Sequence, residues 1–322
     1  MIYKMKDALA IIIPAYKPDY LAETLESLTK QTNKDFKVYI GDDASPFSLE
    51  DIVGQFSDKL NIVYKKFDKN IGGYSLTKQW ERCIELSTEK WVWLFSDDDL
   101  LSPSAVDSFY KELRNKPNSQ FFKFFTTMID AEGKKINLFR DKTNLEKNII
   151  SAKDFISKRL RNDRFRSYVV EYIFRKELYD KYKFINFPLA WCSDDATWLV
   201  YAIENDGIDI IKDTVYWRLS GINISSKDVK DDEKKIASIQ YMNWLNNFIK
   251  QKNIDIPKEE MFLWLFNQIS PSNKKDVKKL LNKLNYEFSE NDLMSVWKKY
   301  NNISQSNKIK RIIKNFLKKY LV

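Results

Sequence analysis

The sequence predicts an α/β protein whose core is a mostly parallel sheet flanked by helices. Short apolar segments of strand length recur near the amino terminus, at residues 8–13, 36–40, 61–64 and 91–95. Segments with apolar residues at helical spacing separate them, and this alternation is typical of βαβ units with parallel strands. Acidic residues directly follow the second and the fourth segment. Open α/β sheets bind their ligands at this end of the strands, so the sequence predicts a site there.

The fourth segment ends in three consecutive carboxylates. Its apolar part, 91–95, is short and bulky, as expected of a strand buried on both faces. Asp97, Asp98 and Asp99 follow, and adjacent like charges repel unless a proton or a cation compensates them. Carboxylate oxygens suit Mg²⁺ or Mn²⁺, above all when substrate phosphates complete the coordination shell. An acidic, solvated turn is the alternative interpretation of the same residues.

The other elements of the first third follow in chain order. Residues 8–13 form a strand that Pro14 is expected to end, and Pro18 is placed to begin the next helix. The strand at 36–40 runs into an acidic turn, and a glycine-containing loop at 70–73 precedes another helix. Each of these elements is short, as is usual for a βαβ arrangement.

After the acidic cluster, Pro103 is expected to open a helix, and a strand is predicted at 120–127. Residues 137–180 mix charged and aromatic side chains without a clear pattern. A helix is predicted at 196–204, with Ser193 or an adjacent aspartate as its cap. Two separate strands are predicted after it, at 208–211 and 214–219.

The chain changes character at about residue 226, where charged residues and apolar residues begin to alternate at helical spacing. The sequence therefore predicts two regions, an α/β domain at 1–225 and a helical, basic appendage at 226–322. Within the appendage, 308–322 has an apolar stripe opposite a row of lysines and arginines. Such a helix suits the surface of an anionic membrane. A terminal helix docked on its own domain, with a solvated basic face, is an equal alternative.

The composition excludes several kinds of catalytic and metal site. The 322-residue chain has a formal net charge of +9, no histidine and two cysteines, Cys83 and Cys192. Without histidine, Ser-His-Asp catalysis, Cys-His catalysis and His-ligated metal sites are excluded. The two widely spaced cysteines predict reduced core residues and a cytoplasmic location. No secretory signal and no apolar stretch of about 20 residues is found, so a soluble or peripheral protein is predicted.

The sequence resembles the family 2 glycosyltransferases of the GT-A fold, the bacterial type that builds surface polysaccharides. The motifs that carry the resemblance lie, in the family's order and spacing, at 11–16 with 27–32, 41–45, 70–73 and 95–103. The resemblance covers about residues 8–225. It implies a Rossmann-like sheet with a donor-binding half at about 1–103 and an acceptor half at about 104–225. It also implies a nucleotide-diphosphosugar donor, usually a UDP-sugar, and inversion at the anomeric carbon.

The resemblance implies which residues contact the donor. Pro14, Ala15 and Tyr16 form a turn beside which the base can pack, and Asp43 accepts hydrogen bonds from the uracil or the ribose. Capping of the next helix is the alternative role of Asp43. Lys78 falls where the family often has a basic donor contact.

The acidic cluster matches the family's metal-binding motif, with one departure. The resemblance assigns Asp98 to a divalent cation, Mn²⁺ or Mg²⁺, with Asp97 nearer the ribose and Asp99 supporting the metal site. The cation stabilises the charge that develops on the leaving UDP. The family's first acid falls on Ser96 here, and this departure keeps a catalytically impaired sugar-nucleotide binding protein as an alternative.

Some family members carry a late histidine near the metal, which this chain lacks. Trp217, Arg218, Asn223 or Ser225 is expected to face the diphosphate instead, from a loop that closes over the donor. Arg218 is the strongest of these candidates, because a guanidinium pairs well with phosphate. A surface ion pair is its alternative role.

Inverting transfer is a single displacement and requires one general base on the acceptor hydroxyl. In the family this base is an acid at the start of a later helix, and Asp194 and Asp195 occupy that place. Asp195 is the preferred candidate and Asp194 the second, because the start of the helix leaves an ambiguity of one residue. Helix capping is the alternative role of whichever is not the base.

The sequence thus predicts an inverting, metal-assisted glycosyltransferase that extends a glycan or a lipid-linked saccharide at the cytoplasmic face of the membrane. A nucleotidyltransferase is the alternative enzyme, although the Gly- and Arg-rich phosphate loop expected of it is absent near the first strand. A nucleic-acid-binding module is disfavoured, because the basic surplus is concentrated in the helical appendage. The donor sugar, the acceptor and the linkage stay open.

The basic terminal segment gives a first testable prediction. If 308–322 binds an anionic membrane, its deletion lowers binding to vesicles that contain anionic lipid, measured by co-sedimentation. Vesicles of neutral lipid are the control, and neither form of the protein is expected to bind them strongly. Equal binding of the full and the shortened chain to anionic vesicles would favour the docked helix.

Overall fold

The computed structural model describes residues 9–136, 148–161, 165–221, 231–284 and 291–302. In this part of the chain, one sheet contains nine strands. The strands are β1 (Leu9–Ala15), β2 (Phe36–Asp42), β3 (Ile62–Lys66), β4 (Trp91–Leu94), β5 (Leu100–Leu101), β6 (Phe121–Ile129), β7 (Ile149–Ile150), β8 (Tyr172–Arg175) and β9 (Ile208–Arg218).

Helices connect the strands and continue beyond the last one. They are α1 (Leu21–Thr29), α2 (Leu49–Gly54), α3 (Leu76–Ile84), α4 (Ala105–Asn115), α5 (Ala152–Arg161), α6 (Lys176–Tyr182), α7 (Ser193–Glu204), α8 (Asp231–Gln251), α9 (Lys258–Ile269) and α10 (Lys274–Leu281). Residues 291–302 are also helical. The predicted α/β class is confirmed, and the predicted helical region after about residue 226 is present. The segment 308–322 lies outside the described residues.

The sheet order is β3-β2-β1-β4-β8-β6-β9-β5, and β7 also pairs with β9. The first four strands of this order are parallel, while β8 is antiparallel to both β4 and β6. Strand β9 is parallel to β6 and antiparallel to the short β5 and β7. The carboxyl ends of β1, β2 and β4 therefore meet at one edge, where the sequence predicts the site.

Both faces of the sheet are covered, which explains the continuous apolar segments. Along β1, Leu9, Ile11 and Ile13 belong to a cluster that includes residues of α1, α2 and α4. Ala10 and Ile12 point the other way and belong to a second cluster with residues of α3 and α5 to α9. Successive side chains of a strand alternate between faces, so a strand buried on both must be apolar throughout.

Pro14 does not end β1, which continues to Ala15. At this point β1 still pairs with β2, Pro14 opposite Gly41, but its pairing with β4 has ended at Ile12. The carbonyl of Ile12 accepts a hydrogen bond from Phe95 N at 2.8 Å, so the backbone of Ile12 faces the β4 side of the strand. Pro14, two residues later, faces the same side. The missing N–H of Pro14 therefore costs no ladder hydrogen bond.

Helix α7 begins at Ser193, three residues earlier than predicted, and its N-cap is Cys192. Ser193 does not cap the helix with its side chain, because its Oγ accepts a hydrogen bond from Phe187 N at 2.9 Å. Asp194 and Asp195 consequently lie in the first turn of the helix rather than before it. Because neighbouring side chains of a helix point in different directions, Asp194 and Asp195 face different surroundings.

The two strands predicted at 208–211 and 214–219 are one strand, β9, with an irregularity. Its pairing with β6 shifts between Ile211 and Thr214, so the two residues between them have no partner in β6. One of the two is Asp213, whose carboxylate accepts hydrogen bonds from serines on and before α4. The donors are Ser102 at 2.6 Å, Ser104 at 2.8 Å and Ser108 at 2.7 Å.

The segment that leads into α7 has an unusual backbone. Leu189, Ala190 and Cys192 have φ values of 59°, 54° and 63°, a region that side chains rarely adopt. Packing against α8 holds this segment. The Phe187 ring meets the Tyr241 ring edge to face at 5.9 Å, and Lys234 Nζ lies 4.9 Å from the Trp191 ring centre. Helix α8 therefore supports the start of α7.

Within the described ranges, no helix combines the length and the hydropathy that crossing a bilayer requires.

Gly41 at the end of β2 gives a prediction about packing. A Cβ at this position would lie 2.2 Å from Cys83 Sγ and 3.0 Å from Phe67 Cε2, so α3 would have to shift. Gly41→Ala is expected to lower the free energy of unfolding by about 1–3 kcal/mol, the usual cost of overpacking. Urea denaturation measures this difference.

Gly54→Ala is the matched control. Gly54 lies at the end of α2, and nothing lies within 4 Å of the position that a Cβ would take there. Alanine is expected to be neutral or to stabilise by up to about 1 kcal/mol, because alanine loses less backbone entropy in a helix. Equal effects of the two substitutions would contradict the packing argument.

Candidate functional site

A cleft of about 680 Å³ opens at the carboxyl ends of β1, β2 and β4. This volume is within the usual range for small-molecule sites. Most residues predicted for the site line it. They are Pro14, Ala15, Tyr16, Asp43, Asp97, Asp98, Asp99 and Asp194. The parallel pairing of β1 with β2 and β4 brings the first seven together, and α7 brings Asp194 from 95 residues further along the chain.

Asp97 joins the turn after β4 to the turn after β1. Its Oδ2 accepts hydrogen bonds from the backbone N–H of Tyr16 at 3.0 Å and of Lys17 at 3.1 Å. Burial and the neighbouring charge of Asp98 raise the pKa of Asp97 to about 6, although the two backbone donors oppose the shift. Both of these donors use the same carboxylate oxygen.

Asp99 lies beneath the turn with a side chain that is almost fully buried. Ser96 Oγ donates to its Oδ2 at 2.6 Å, and Arg218 N donates to its Oδ1 at 2.7 Å. Burial, together with the charge of Asp98, raises the pKa of Asp99 well above its ordinary value. Because both oxygens accept protein hydrogen bonds, Asp99 is suited to support the turn, and Ser96 holds it in place.

Asp98 is the acid of this turn best suited to a metal ion. Its pKa is raised by burial, against the effect of a hydrogen bond with Ser96 and of the cations Lys17 and Arg218. A carboxylate whose pKa is raised by burial is stabilised as the anion by a nearby positive charge, which a cation in the cleft would supply.

The residues of the turn fit a divalent cation only together with a phosphate-bearing ligand. In the described part of the chain, no group of three or more Asp, Glu, Cys or His side chains could hold a metal alone. Mg²⁺ is usually bound by one or two carboxylates plus substrate phosphates, however. Asp98, with the Asp97 oxygen that is not used by the backbone donors, meets that requirement.

Asp43 holds the loop at 70–73 against the end of β2. Its Oδ1 accepts from Ile71 N at 2.8 Å and its Oδ2 from Gly72 N at 2.8 Å, and it forms an ion pair with Arg82 of α3. A Cβ on Gly72 would lie 2.6 Å from Asp43 Oδ2, so this close approach needs glycine. Capping of α2, the alternative role, is not observed, because the N-cap of α2 is Ser48.

Asp195 points away from the cleft and pairs with Arg159 of α5. The guanidinium binds it with two hydrogen bonds, Nε to Oδ1 at 2.8 Å and Nη2 to Oδ2 at 2.7 Å. Such a bidentate pair fixes both partners. Asp195 does not line the cleft, whereas the preceding Asp194 does.

Asp194 therefore replaces Asp195 as the better candidate for a general base. Burial, followed by the negative charge of Asp195, raises the pKa of Asp194 to about 7, and Arg159 opposes this shift. A carboxylate with such a pKa is matched to proton transfer near neutral pH. The sequence left the choice open because it did not fix where α7 begins.

Arg218 and Lys78, both predicted donor contacts, lie outside the cleft lining. Arg218 is fully buried. Its guanidinium donates to the carbonyl of Asp98 at 2.8 Å, to the carbonyl of Ala131 at 2.7 Å and to Glu23 Oε2 at 2.7 Å. It holds the acidic turn from below instead of facing a diphosphate. Lys78 points to solvent and pairs with Glu81 at 2.6 Å.

Several other residues line the cleft. Asn70 and Gly73 belong to the motif at 70–73, whereas Tyr20, Leu76, Gln79, Trp80, Tyr168, Val169 and Val170 were not expected there from the sequence. Trp217 was among the residues expected to face the cleft, and two others of that group, Asn223 and Ser225, lie outside the described residues. Tyr168 belongs to the region without a readable pattern, so only the fold reveals it.

Comparison with known proteins places this geometry in context. The family model described as Glycosyl transferase family 2 matches residues 10–166. A glycosyltransferase of Methanocaldococcus jannaschii is 25% identical over 140 residues, which cover 42% of this chain and 47% of the relative. A glycosyltransferase of Haemophilus influenzae is 30% identical over 116 residues, which cover 35% of this chain and 37% of the relative. The chain thus spans about half or less of the length of these curated relatives.

Solved structures share the fold at low sequence identity. Residues 1–349 of Staphylococcus aureus TarS, in complex with UDP-GlcNAc, match with a TM-score of 0.59 and 18% identity, over 82% of this chain and 72% of that one. The mannosyltransferase PcManGT of Pyrobaculum calidifontis, in complex with GDP-Man and Mn²⁺, matches with a TM-score of 0.51 and 13% identity, over 98% and 89%. The GT-A fold predicted from the sequence is confirmed.

The raised pKa of Asp194 predicts a pH-dependent stability. An aspartate has a pKa of about 4 when unfolded, against about 7 here. Between these values the folded state binds the proton more tightly, so the contribution of Asp194 to stability is highest below pH 4 and falls until about pH 7. Asp194→Asn removes the carboxylate and with it this loss of stability at high pH. The difference in free energy of unfolding between the variant and the wild type is therefore expected to favour the variant more at pH 8 than at pH 4, as measured by urea denaturation.

Asp195→Asn is the matched control for this experiment. It weakens the bidentate pair and leaves the guanidinium of Arg159 without its partner charge. It is expected to destabilise the protein at pH 8. A gain in stability at pH 8 from Asp195→Asn, with none from Asp194→Asn, would reverse the assignment of the two residues.

Proposed function

Because the family model described as Glycosyl transferase family 2 matches residues 10–166, we propose that the chain transfers a sugar from a nucleotide-diphosphosugar to a saccharide acceptor. The observation that carries this proposal is the meeting of the acidic turn after β4 and Asp194 of α7 in one cleft. The first can hold a diphosphate through a cation, and the second can accept a proton. We further propose a UDP-sugar as donor and a glycan or lipid-linked acceptor in bacterial surface polysaccharide synthesis, at the cytoplasmic face of the membrane.

The donor side of the proposal rests on the residues at the ends of β1 and β2. Pro14, Ala15 and Tyr16 line the cleft next to Asp43 and the loop that Asp43 holds. In the proposed complex the base packs between this end of β1 and the loop at 70–73. The complexes of similar fold bind UDP-GlcNAc and GDP-Man, which supports a nucleotide-sugar as the ligand class.

In this proposal Asp98 and Asp97 would hold the divalent cation, Mn²⁺ or Mg²⁺, whose positive charge would offset the charge of the leaving diphosphate. Asp97 is also proposed to accept a hydrogen bond from a ribose hydroxyl. Asp99 keeps its oxygens on Ser96 and Arg218 N. The serine in place of the family's first acid therefore supports the acidic turn, which favours an active enzyme over an impaired binding protein.

Asp194 is the general base of the proposed reaction. Its carboxylate takes the proton of the acceptor hydroxyl while that oxygen attacks the anomeric carbon, and the nucleoside diphosphate leaves on the opposite face. A single displacement of this kind inverts the configuration. Arg159 holds Asp195, and the fixed negative charge of Asp195 helps to keep the pKa of Asp194 near 7.

The proposal is tested by separating donor binding from chemistry. The wild type is expected to bind UDP more weakly when EDTA replaces Mn²⁺ in a calorimetric titration. It is also expected to hydrolyse at least one donor of a panel of UDP-, GDP- and dTDP-sugars. Asp194→Asn is expected to lower hydrolysis by about 10²-fold or more, the usual contribution of a general base, with UDP affinity nearly unchanged.

Asp98→Asn is the matched variant for the metal role, and its main effect is expected on UDP affinity in the presence of Mn²⁺. Equal UDP binding with and without metal would exclude the cation from donor binding. Absence of any nucleotide binding by the wild type would contradict the proposed function as a whole.

A further inference from the structure

Two aromatic side chains form one wall of the cleft. The rings of Tyr168 and Trp217 are stacked, with centres 4.2 Å apart and planes inclined by 11°. Both residues line the cleft and both stay partly exposed. They pack against the hydrophobic cluster of one sheet face from its outside.

The pair is held from two directions. Trp217 lies near the end of β9 opposite Met128 of β6, and the next residue, Arg218, donates its backbone N–H to Asp99. Tyr168 directly precedes a 3-10 turn at Val169–Glu171, and its hydroxyl accepts a hydrogen bond from Arg166 Nη1 at 2.8 Å. The aromatic wall is therefore fixed relative to the acidic turn before any ligand binds.

A pyranose ring is the ligand that matches this wall. One face of such a ring presents C–H bonds with a small positive charge, and the face of an aromatic ring carries a small negative charge. Stacking therefore buries the apolar side of the sugar and leaves its hydroxyls free for polar groups. Rigid aromatic side chains also offer this contact at a low cost in conformational entropy.

The position of the wall indicates the acceptor and not the donor. Asp43 and its loop lie at the end of β2, on one side of the acidic turn. In the sheet order, β9 lies on the other side of β4, so Trp217 lies across the acidic turn from the nucleotide side. In a single displacement the acceptor must approach the anomeric carbon opposite the leaving diphosphate, and this side is where the wall lies.

We propose that the Tyr168–Trp217 pair forms a stacking platform, in which the outer face of one ring binds a pyranose ring of the acceptor and turns one of its hydroxyls towards Asp194, while the other ring supports it from its inner face. This inference rests on the proposed function, since it names the acceptor subsite of the same cleft. Both residues are positioning residues, because neither takes part in proton transfer. The acceptor is accordingly a saccharide, and a sugar ring is the part of it that the enzyme recognises next to the reacting centre.

The test uses the full chain saturated with UDP and Mn²⁺ and a panel of methyl pyranosides of glucose, galactose, mannose and N-acetylglucosamine. Saturation-transfer NMR is expected to detect binding of at least one pyranoside, with the signal concentrated on its C–H protons. Trp217→Ala is expected to weaken that binding by about two- to twelve-fold, as loss of one stacked ring implies. Trp217→Phe keeps an aromatic face and is expected to retain most of the affinity.

Tyr182→Ala is the control, because it also removes a partly exposed aromatic ring. Tyr182 lies on α6, where Lys181 Nζ is 4.7 Å from its ring centre, outside the cleft lining. This substitution is expected to leave pyranoside binding unchanged. Tyr168→Leu provides a second variant on the other ring, should Trp217→Ala fail to fold.

Several outcomes would contradict the proposed stacking platform. One is the absence of pyranoside binding by the UDP-saturated wild type, and another is equal pyranoside binding by Trp217→Ala and the wild type. A third is a rise in the KM for donor hydrolysis in Trp217→Ala without any change in pyranoside affinity, which would assign the wall to the donor sugar. A wild type that binds no UDP would instead contradict the proposed function, so the two failures are distinguishable.

Discussion

The burial of three adjacent carboxylates after β4 is the constraint on which the rest of the cleft depends. Asp97, Asp98 and Asp99 are adjacent in sequence, and burial raises the pKa of each. Such a turn is stable only where donors are brought to it. The turn after β1 supplies two backbone N–H groups, and β9 supplies Arg218. The order of strands in the sheet is what allows these distant segments to meet.

Arg218 shows how positive charge can be placed for structure instead of for ligand binding. Its guanidinium is buried on the protein side of the turn, where it donates to two carbonyls and to Glu23. The charge stabilises the turn from the protein side, and the guanidinium does not line the cleft. A planar guanidinium with several donors in a fixed geometry is well suited to join several chain segments in this way.

The sequence predicted the features that depend on local patterns. The buried strand β4, its acidic turn and the first three parallel strands follow from apolar runs and from the residues after them. The features that depend on distant partners could not be predicted. Asp43 and Arg82 are 39 residues apart, and Arg159 and Asp195 are 36 residues apart, so nothing in either local pattern indicates the pairing. The choice between Asp194 and Asp195 depends on where α7 begins, and its start at Ser193 could not be read from the local pattern.

The three residues with positive φ before α7 make the position of Asp194 depend on a part of the chain far from the donor side. Leu189, Ala190 and Cys192 adopt this backbone in a segment that α8 packs against through Phe187 and Trp191. The region that matches the family ends at residue 166, before both of these elements. Changes in α8 that disturb this packing are therefore expected to move Asp194 relative to the cleft without altering the turns after β1, β2 and β4. Under the proposed function, this separation would let acceptor choice diverge in evolution while donor binding is kept.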